Sequence, residues 1–145
     1  MKNIYSNIFK VNNKNISKAI NCLKKKGLIG VPTETVYGLA GNAYSAAAVK
    51  KIYYLKKRPF RNPLIVHYYN LEQLKKDVEL NNYFFKLYKK FSPGPITFVL
   101  NKKKNSQLSN IATAKLKTVA VRFPKNKTIR RILKSLSFPL AIPSA

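Results

Sequence analysis

Residues 31–39 read VPTETVYGL, two threonines and a glutamate set directly behind an apolar run. Gly27-Leu28-Ile29-Gly30-Val31 has the shortness and branched end of a buried strand. Pro32 withdraws a backbone donor and is expected to stop the ladder. Thr33, Glu34 and Thr35 then stand beyond the carboxyl end of a strand, where open α/β sheets place their ligands. The same residues also suit a turn whose hydroxyls tie down their own backbone. This stretch by itself leaves both readings open.

Other polar groups recur at strand exits: His67 after a second apolar run, Arg122 inside a late one and Ser144 after the last. Lys56-Lys57-Arg58-Pro59 closes a helical pattern, and proline forces an extended segment toward Asn62-Pro63. Cations at such a point suit a phosphate, with arginine giving fork geometry and lysine a mobile charge. Each has a plainer role. A histidine beside tyrosines is commonly a satisfied edge residue, and basic residues at a helix end complement its dipole. Arg122 is the least ordinary, because an unpaired guanidinium is costly to bury. There is no P-loop, no G-x-G-x-x-G, no pair of carboxylates and no nucleophile with its base. With 4 acidic residues in the chain, no protein-built metal site is expected, and any Mg²⁺ would ride on substrate phosphates.

The elements that must position these groups alternate. Ile16, Ile20 and Leu23 predict a helix ending near Gly27, and residues 28–31 a strand. Ser45 caps a predicted helix through Leu55, and Leu64-Ile65-Val66 predicts a second strand. Leu71, Leu74 and Val78, then Phe84, Leu87, Tyr88 and Phe91, predict two amphipathic helices. SPGP at 92–95 breaks the chain before strands at 96–100 and 118–123. A helix over 128–136 and a strand from Pro139 to Ile142 complete the pattern. Alternating strands and helices without a linker or repeat predict one α/β domain over residues 1–145 with a mixed sheet.

Composition sets the outer limits. Hydrophobic residues make up 46% of the 145, enough for a real core. One cysteine excludes a disulfide framework and suits a reducing compartment. MKNIYSNIFKVNNKN has no signal-peptide core, and no apolar run reaches the roughly 20 residues of a membrane span, so a cytoplasmic protein is expected. The net charge of +25 has two readings. It attracts polyanions such as RNA. It also accompanies an abundance of Lys, Asn, Ile and Tyr, whose codons are A/T-rich.

Five segments together carry a resemblance: PTETVYGL (32–39), KKIYYLKKRPFRNPLIVH (50–67), SPGPIT (92–97), TVAVRFP (118–124) and PLAIPSA (139–145). In this order the chain resembles the YrdC/Sua5 family of threonylcarbamoyl-AMP synthases over about residues 15–145. The resemblance implies a YrdC-like twisted mixed open sheet flanked by helices, with a concave basic cavity. It implies condensation of L-threonine, bicarbonate and ATP to threonylcarbamoyl-AMP and pyrophosphate. A separate tRNA threonylcarbamoyl transferase would then modify an adenosine of tRNA. By the same resemblance Thr35, His67, Arg122 and the backbone at Ile142 would hold threonine, with Arg122 facing its carboxylate. Lys56, Arg58, Asn62, Thr118 and Ser144 would face ATP, Lys56 and Arg58 being the catalytic cations. Thr33 would hold the turn, and the place of Glu34 stays open. Family members continue past PSA, so the chain is expected to be incomplete at its C-terminus. The rival readings are a double-stranded RNA- or tRNA-binding module without catalysis, a carbamoyl-transferring relative, and an inactive remnant.

Overall fold

In the computed structural model, which describes residues 7–145, helix α1 (Asn13–Lys24) buries Ile16 and Leu23. The first six residues of the N-terminal stretch read above lie outside that range. The Asn12 side chain caps α1 by accepting from the Asn15 amide. The helix stops at Lys24, and Lys26, not Gly27, takes the left-handed conformation (φ 63°). Gly27 matters for space: a methyl group there would lie 2.5 Å from Cys22 Sγ.

Strands β1 (Ile29–Pro32) and β2 (Tyr37–Asn42) pair as an antiparallel hairpin, with Ile29 opposite Ala40. The ladder ends at Pro32 as expected, with Pro32 itself forming its last rung, opposite Tyr37 on the outer strand. One expectation changes here. Residues 37–42 carried no strand signal, yet they pair on both sides. The reason is steric. A methyl on Gly38 would meet Ile142 Cγ2 at 2.3 Å, and one on Gly41 would meet Leu28 Cδ2 at 2.7 Å. Close approach demands glycine, and glycine erases the sequence signature of a strand.

Helix α2 (Ala46–Lys56) starts on Ser45, whose hydroxyl accepts from the Ala48 amide, and leaves through left-handed Lys57. Strand β3 (Ile65–His67) follows. The helix expected through Val78 shrinks to one turn, α3 (Leu71–Leu74). The chain then turns so that Asp77 is fully buried and Val78 bridges to Lys102. Asp77 Oδ2 accepts from the hydroxyls of Tyr44 and Tyr68 at 2.7 and 2.8 Å. Its Oδ1 accepts from the Ser106 hydroxyl at 2.8 Å and the Gln107 amide at 3.2 Å, fastening the 101–110 loop to the core. Helix α4 (Asn82–Phe91), strands β4 (Phe98–Asn101) and β5 (Thr118–Arg122), helix α5 (Lys127–Lys134) and strand β6 (Leu140–Ala141) complete the chain.

The sheet runs β1-β2-β6-β3-β5-β4. Only β3 and β5 are parallel, with His67 opposite Arg122, so the sheet is mixed and open as expected. Strand alternation builds a core on each face. Val66, Val119, Val121 and Ala141 pack with Ile52 and Tyr53 of α2 and with Phe84 of α4. On the opposite face Val31, Ala40, Leu140 and Ile142 pack under α1 and α5. That second cover stops at β6 and β3. Beyond it Thr118, Ala120 and Arg122 stay half-exposed, and Val99 is 68% exposed.

Candidate active site

A cleft of about 370 Å³ opens where the carboxyl ends of β3 and β5 meet the hairpin turn and residues 142–144. Parallel strands discharge their polar ends in one direction, so His67 and Arg122 arrive there side by side. The turn arrives because β1 and β2 fold back on each other. Within it the Thr33 hydroxyl donates to the Val36 carbonyl at 2.5 Å and accepts from the Thr35 amide at 3.4 Å. Thr33 therefore ties the turn and leaves Thr35 exposed at the cleft.

Arg122 is not alone in its strand. Its Nε and Nη2 both donate to Thr97 Oγ1, at 3.2 and 2.7 Å. The register that sets Phe98 opposite Val121 carries Thr97 beside Arg122. Thr97, inside SPGPIT, had no role assigned from sequence, and only this pairing exposes it. His67 is buried, 2% exposed, and its Nδ1 has no hydrogen-bond partner. Burial, followed by the charge of Arg122, lowers its pKa to about 3. His67 is thus neutral, suited to hydrogen bonding a ligand more than to taking its proton. An unpaired buried ring nitrogen is a rare feature and marks a group that a ligand would satisfy.

Lys56 closes α2, and left-handed Lys57 (φ 49°) turns the chain so that Arg58 reaches back. Arg58 Nε donates to the Asn62 carbonyl at 3.1 Å and Nη2 to the Pro63 carbonyl at 2.9 Å. Ile142 and Ser144 reach the cleft because the last residues are gripped from two sides. The Ile142 amide donates to Ile65 O, the Leu39 amide to Pro143 O, and the Ala145 amide to Tyr37 O.

Thr35, Lys56, Arg58, His67, Arg122, Ile142 and Ser144 therefore line one cleft. Asn62 and Thr118 do not line it. Asn62 contributes its carbonyl, which accepts from Arg58 and from the Tyr53 hydroxyl. Thr118 shares a strand face with Arg122 but begins β5, about 13 Å down the strand. Among the described residues no carboxylate lines the cleft. Glu34 turns away from it, and no three His, Cys, Asp or Glu side chains converge anywhere in those residues. Three cations, a neutral histidine and a threonine hydroxyl are chemically suited to holding and positioning an anion.

The Sua5/YciO/YrdC family model, described as telomere recombination, matches residues 21–145. The chain belongs to the Sua5/YciO/YrdC family. It is 41% identical over 135 residues to the threonylcarbamoyl-AMP synthase of Bacillus subtilis, an alignment covering 92% of this chain and 39% of that protein. It is 35% identical over 133 residues to the synthase of Psychromonas ingrahamii, covering 90% and 69%. P. abyssi Sua5 complexed with L-threonine superimposes with a TM-score of 0.87 at 37% identity, covering 94% of this chain and 40% of that one. The chain thus spans about two-fifths of the length of its Bacillus and Pyrococcus relatives in this family. No helix among the described residues is long and apolar enough to cross a membrane.

Proposed function

We propose that the chain carries the substrate cleft of an L-threonylcarbamoyladenylate synthase. The threonine amine adds to CO₂, or to bicarbonate with loss of water, forming a carbamate. A carbamate oxygen attacks the α-phosphorus of ATP, the bond to the bridging oxygen of the β-phosphate breaks, and pyrophosphate leaves. Such a displacement needs positioning and charge neutralisation, not a protein nucleophile. The observation that carries the reading is the grouping of Arg122, held by Thr97, with neutral His67 and with Thr35 in a cleft free of carboxylates. Arg122 pairs the threonine carboxylate, while Thr35 and His67 hydrogen-bond its polar groups. Lys56, Arg58 and Ser144 face the phosphates, with Asn62 and Thr118 beside the nucleotide. No cleft carboxylate suits a protein-built Mg²⁺ site, so Mg²⁺ belongs to the bound nucleotide as part of the substrate. The product passes to a transferase that modifies tRNA in the cytoplasm.

The deciding experiment measures pyrophosphate release from ATP with bicarbonate, with and without L-threonine. Threonine-dependent release is expected. Arg122→Ala raises the threonine requirement by about tenfold or more and leaves that for ATP nearly unchanged, and Arg58→Ala does the reverse. Release that ignores threonine, or an equal loss for both substrates in Arg122→Ala, overturns the assignment.

A further inference from the structure

The motif PTETV contains one charged residue that the substrate reading leaves without a task. Glu34 lies between two cleft-lining threonines, yet it does not line the cleft. Its Oε1 accepts from the backbone amides of Lys125 and Asn126, the latter at 2.6 Å. Its Oε2 is buried with no hydrogen-bond partner. Lys125 and Asn126 follow closely after Arg122, and Asn126 is itself the cap of α5, its side chain accepting from the Thr128 amide at 2.9 Å.

We propose that Glu34 is a positioning residue: a latch between the β1–β2 turn and the segment joining β5 to α5. It fixes where Thr35 stands relative to Arg122 and so sets the threonine affinity of the cleft. The proposal rests on the threonine reading above for its functional half. The two segments are more than 90 residues apart in sequence, and two adjacent amides converging on one carboxylate oxygen make a charge-assisted joint. The positive end of α5 adds to it. The turn is otherwise held by Thr33, by the Pro32–Tyr37 rung at its base and by the bonds of Tyr37 and Leu39 to residues 143–145, none of which runs to β5 or to the segment after it. Without Glu34 the turn remains a turn, but the distance between Thr35 and Arg122 is no longer set.

The test separates reach from charge. Glu34→Gln retains an acceptor at the same reach without the charge, Glu34→Asp retains the charge one methylene short, and Glu34→Ala removes both. L-threonine and ATP are titrated calorimetrically against each folded variant, and hydrogen exchange is followed at the Lys125 and Asn126 amides. Threonine binding is expected to weaken about tenfold in Glu34→Ala and Glu34→Asp, with ATP binding within about twofold. Glu34→Gln, which keeps the acceptor but not the charge, lies between wild type and Glu34→Ala, and exchange protection at both amides is reduced in it and lost in the other two. Unchanged threonine affinity in Glu34→Ala overturns the proposal. So does a loss in Glu34→Gln that Glu34→Asp does not share, because the charge would then act on the ligand directly. If the wild-type chain takes up no threonine, the functional reading falls while the latch is still decided. Protection lost at Lys125 and Asn126 in Glu34→Ala upholds it, and protection retained refutes it.

Discussion

His67 gives the chain an acid limb of stability whose size follows from its burial. An imidazole titrates near 6.5 in an unfolded chain, whereas burial first, and Arg122 second, hold it at about 3 in the folded protein. Between those values the unfolded state binds a proton that the folded state refuses. Stability therefore rises with pH through this window and is flat, as far as His67 is concerned, above about pH 6.5. Each pH unit well inside the window is worth about 1.4 kcal/mol, and with the imidazole only half titrated at pH 6.5, descending from there to pH 4.5 removes about 2 kcal/mol. That is a large part of a typical domain's margin of about 5–15 kcal/mol. The perturbation is His67→Asn, which retains a polar group and cannot charge. Urea unfolding followed by circular dichroism at pH 7.5, 6.5, 5.5 and 4.5 supplies the comparison. The acidic residues titrate in both proteins and cancel in the difference. Wild type is expected to lose about 2–3 kcal/mol more than His67→Asn between pH 6.5 and 4.5, and the two curves run parallel above that range. Parallel curves throughout, or a wild type that gains stability on acidification, would refute the account of a neutral buried imidazole.

Two further substitutions probe the frame around the cleft. Gly38→Ala drives a methyl to 2.3 Å from Ile142 Cγ2 and 3.2 Å from the Pro143 carbonyl, and is expected to cost about 1–3 kcal/mol in urea unfolding. Gly30→Ala, with nothing within 4 Å of its added methyl, serves as the control, and equal effects of the two would refute the steric argument. Asp77→Ala leaves the hydroxyls of buried Tyr68 and half-buried Tyr44 without their acceptor and frees the 101–110 loop. Thermal unfolding should show a loss of about 3 kcal/mol or more, and a loss below about 1 kcal/mol would show the network to be incidental.

Where the sequence spoke clearly, it did so through patterns that need no partner. Ser45 before an apolar helix, and the alternation in Thr118-Val119-Ala120-Val121-Arg122, are local signals, and both elements formed. Residues 37–42 and the short α3 were hidden for opposite reasons. Glycines required by Ile142 and Leu28 removed the strand signal from one. In the other, helical spacing at Leu71, Leu74 and Val78 was overridden, because Asp77 is drawn under two tyrosines and Val78 into a bridge with Lys102. The site divides likewise. Cations and hydroxyls at strand exits were legible because their chemistry is carried in their type. Thr97, Gly38 and Glu34 were not, because each acts through a residue far along the chain, and only the folded structure brings that partner alongside.

The cleft itself has a cause in the strand register and one proline. The antiparallel register that puts Val66 opposite Ala141 continues for one more step, where the Ile142 amide donates to Ile65 O. The next rung sets Leu64 opposite Pro143 as a non-hydrogen-bonded pair, so the Leu64 amide faces the other way, to Ala112 O, and Pro143 O accepts from the Leu39 amide. The rung after that would need a proton from Pro63, which has none to give. Without that bond to β3, the chain beyond Ile142 follows β2, through Leu39 and Tyr37. The two sides part, and Pro63 and Pro143 face one cleft. The proline of RNPLIVH thus keeps the sheet from closing over the place where His67, Arg122 and the Lys56–Arg58 corner converge.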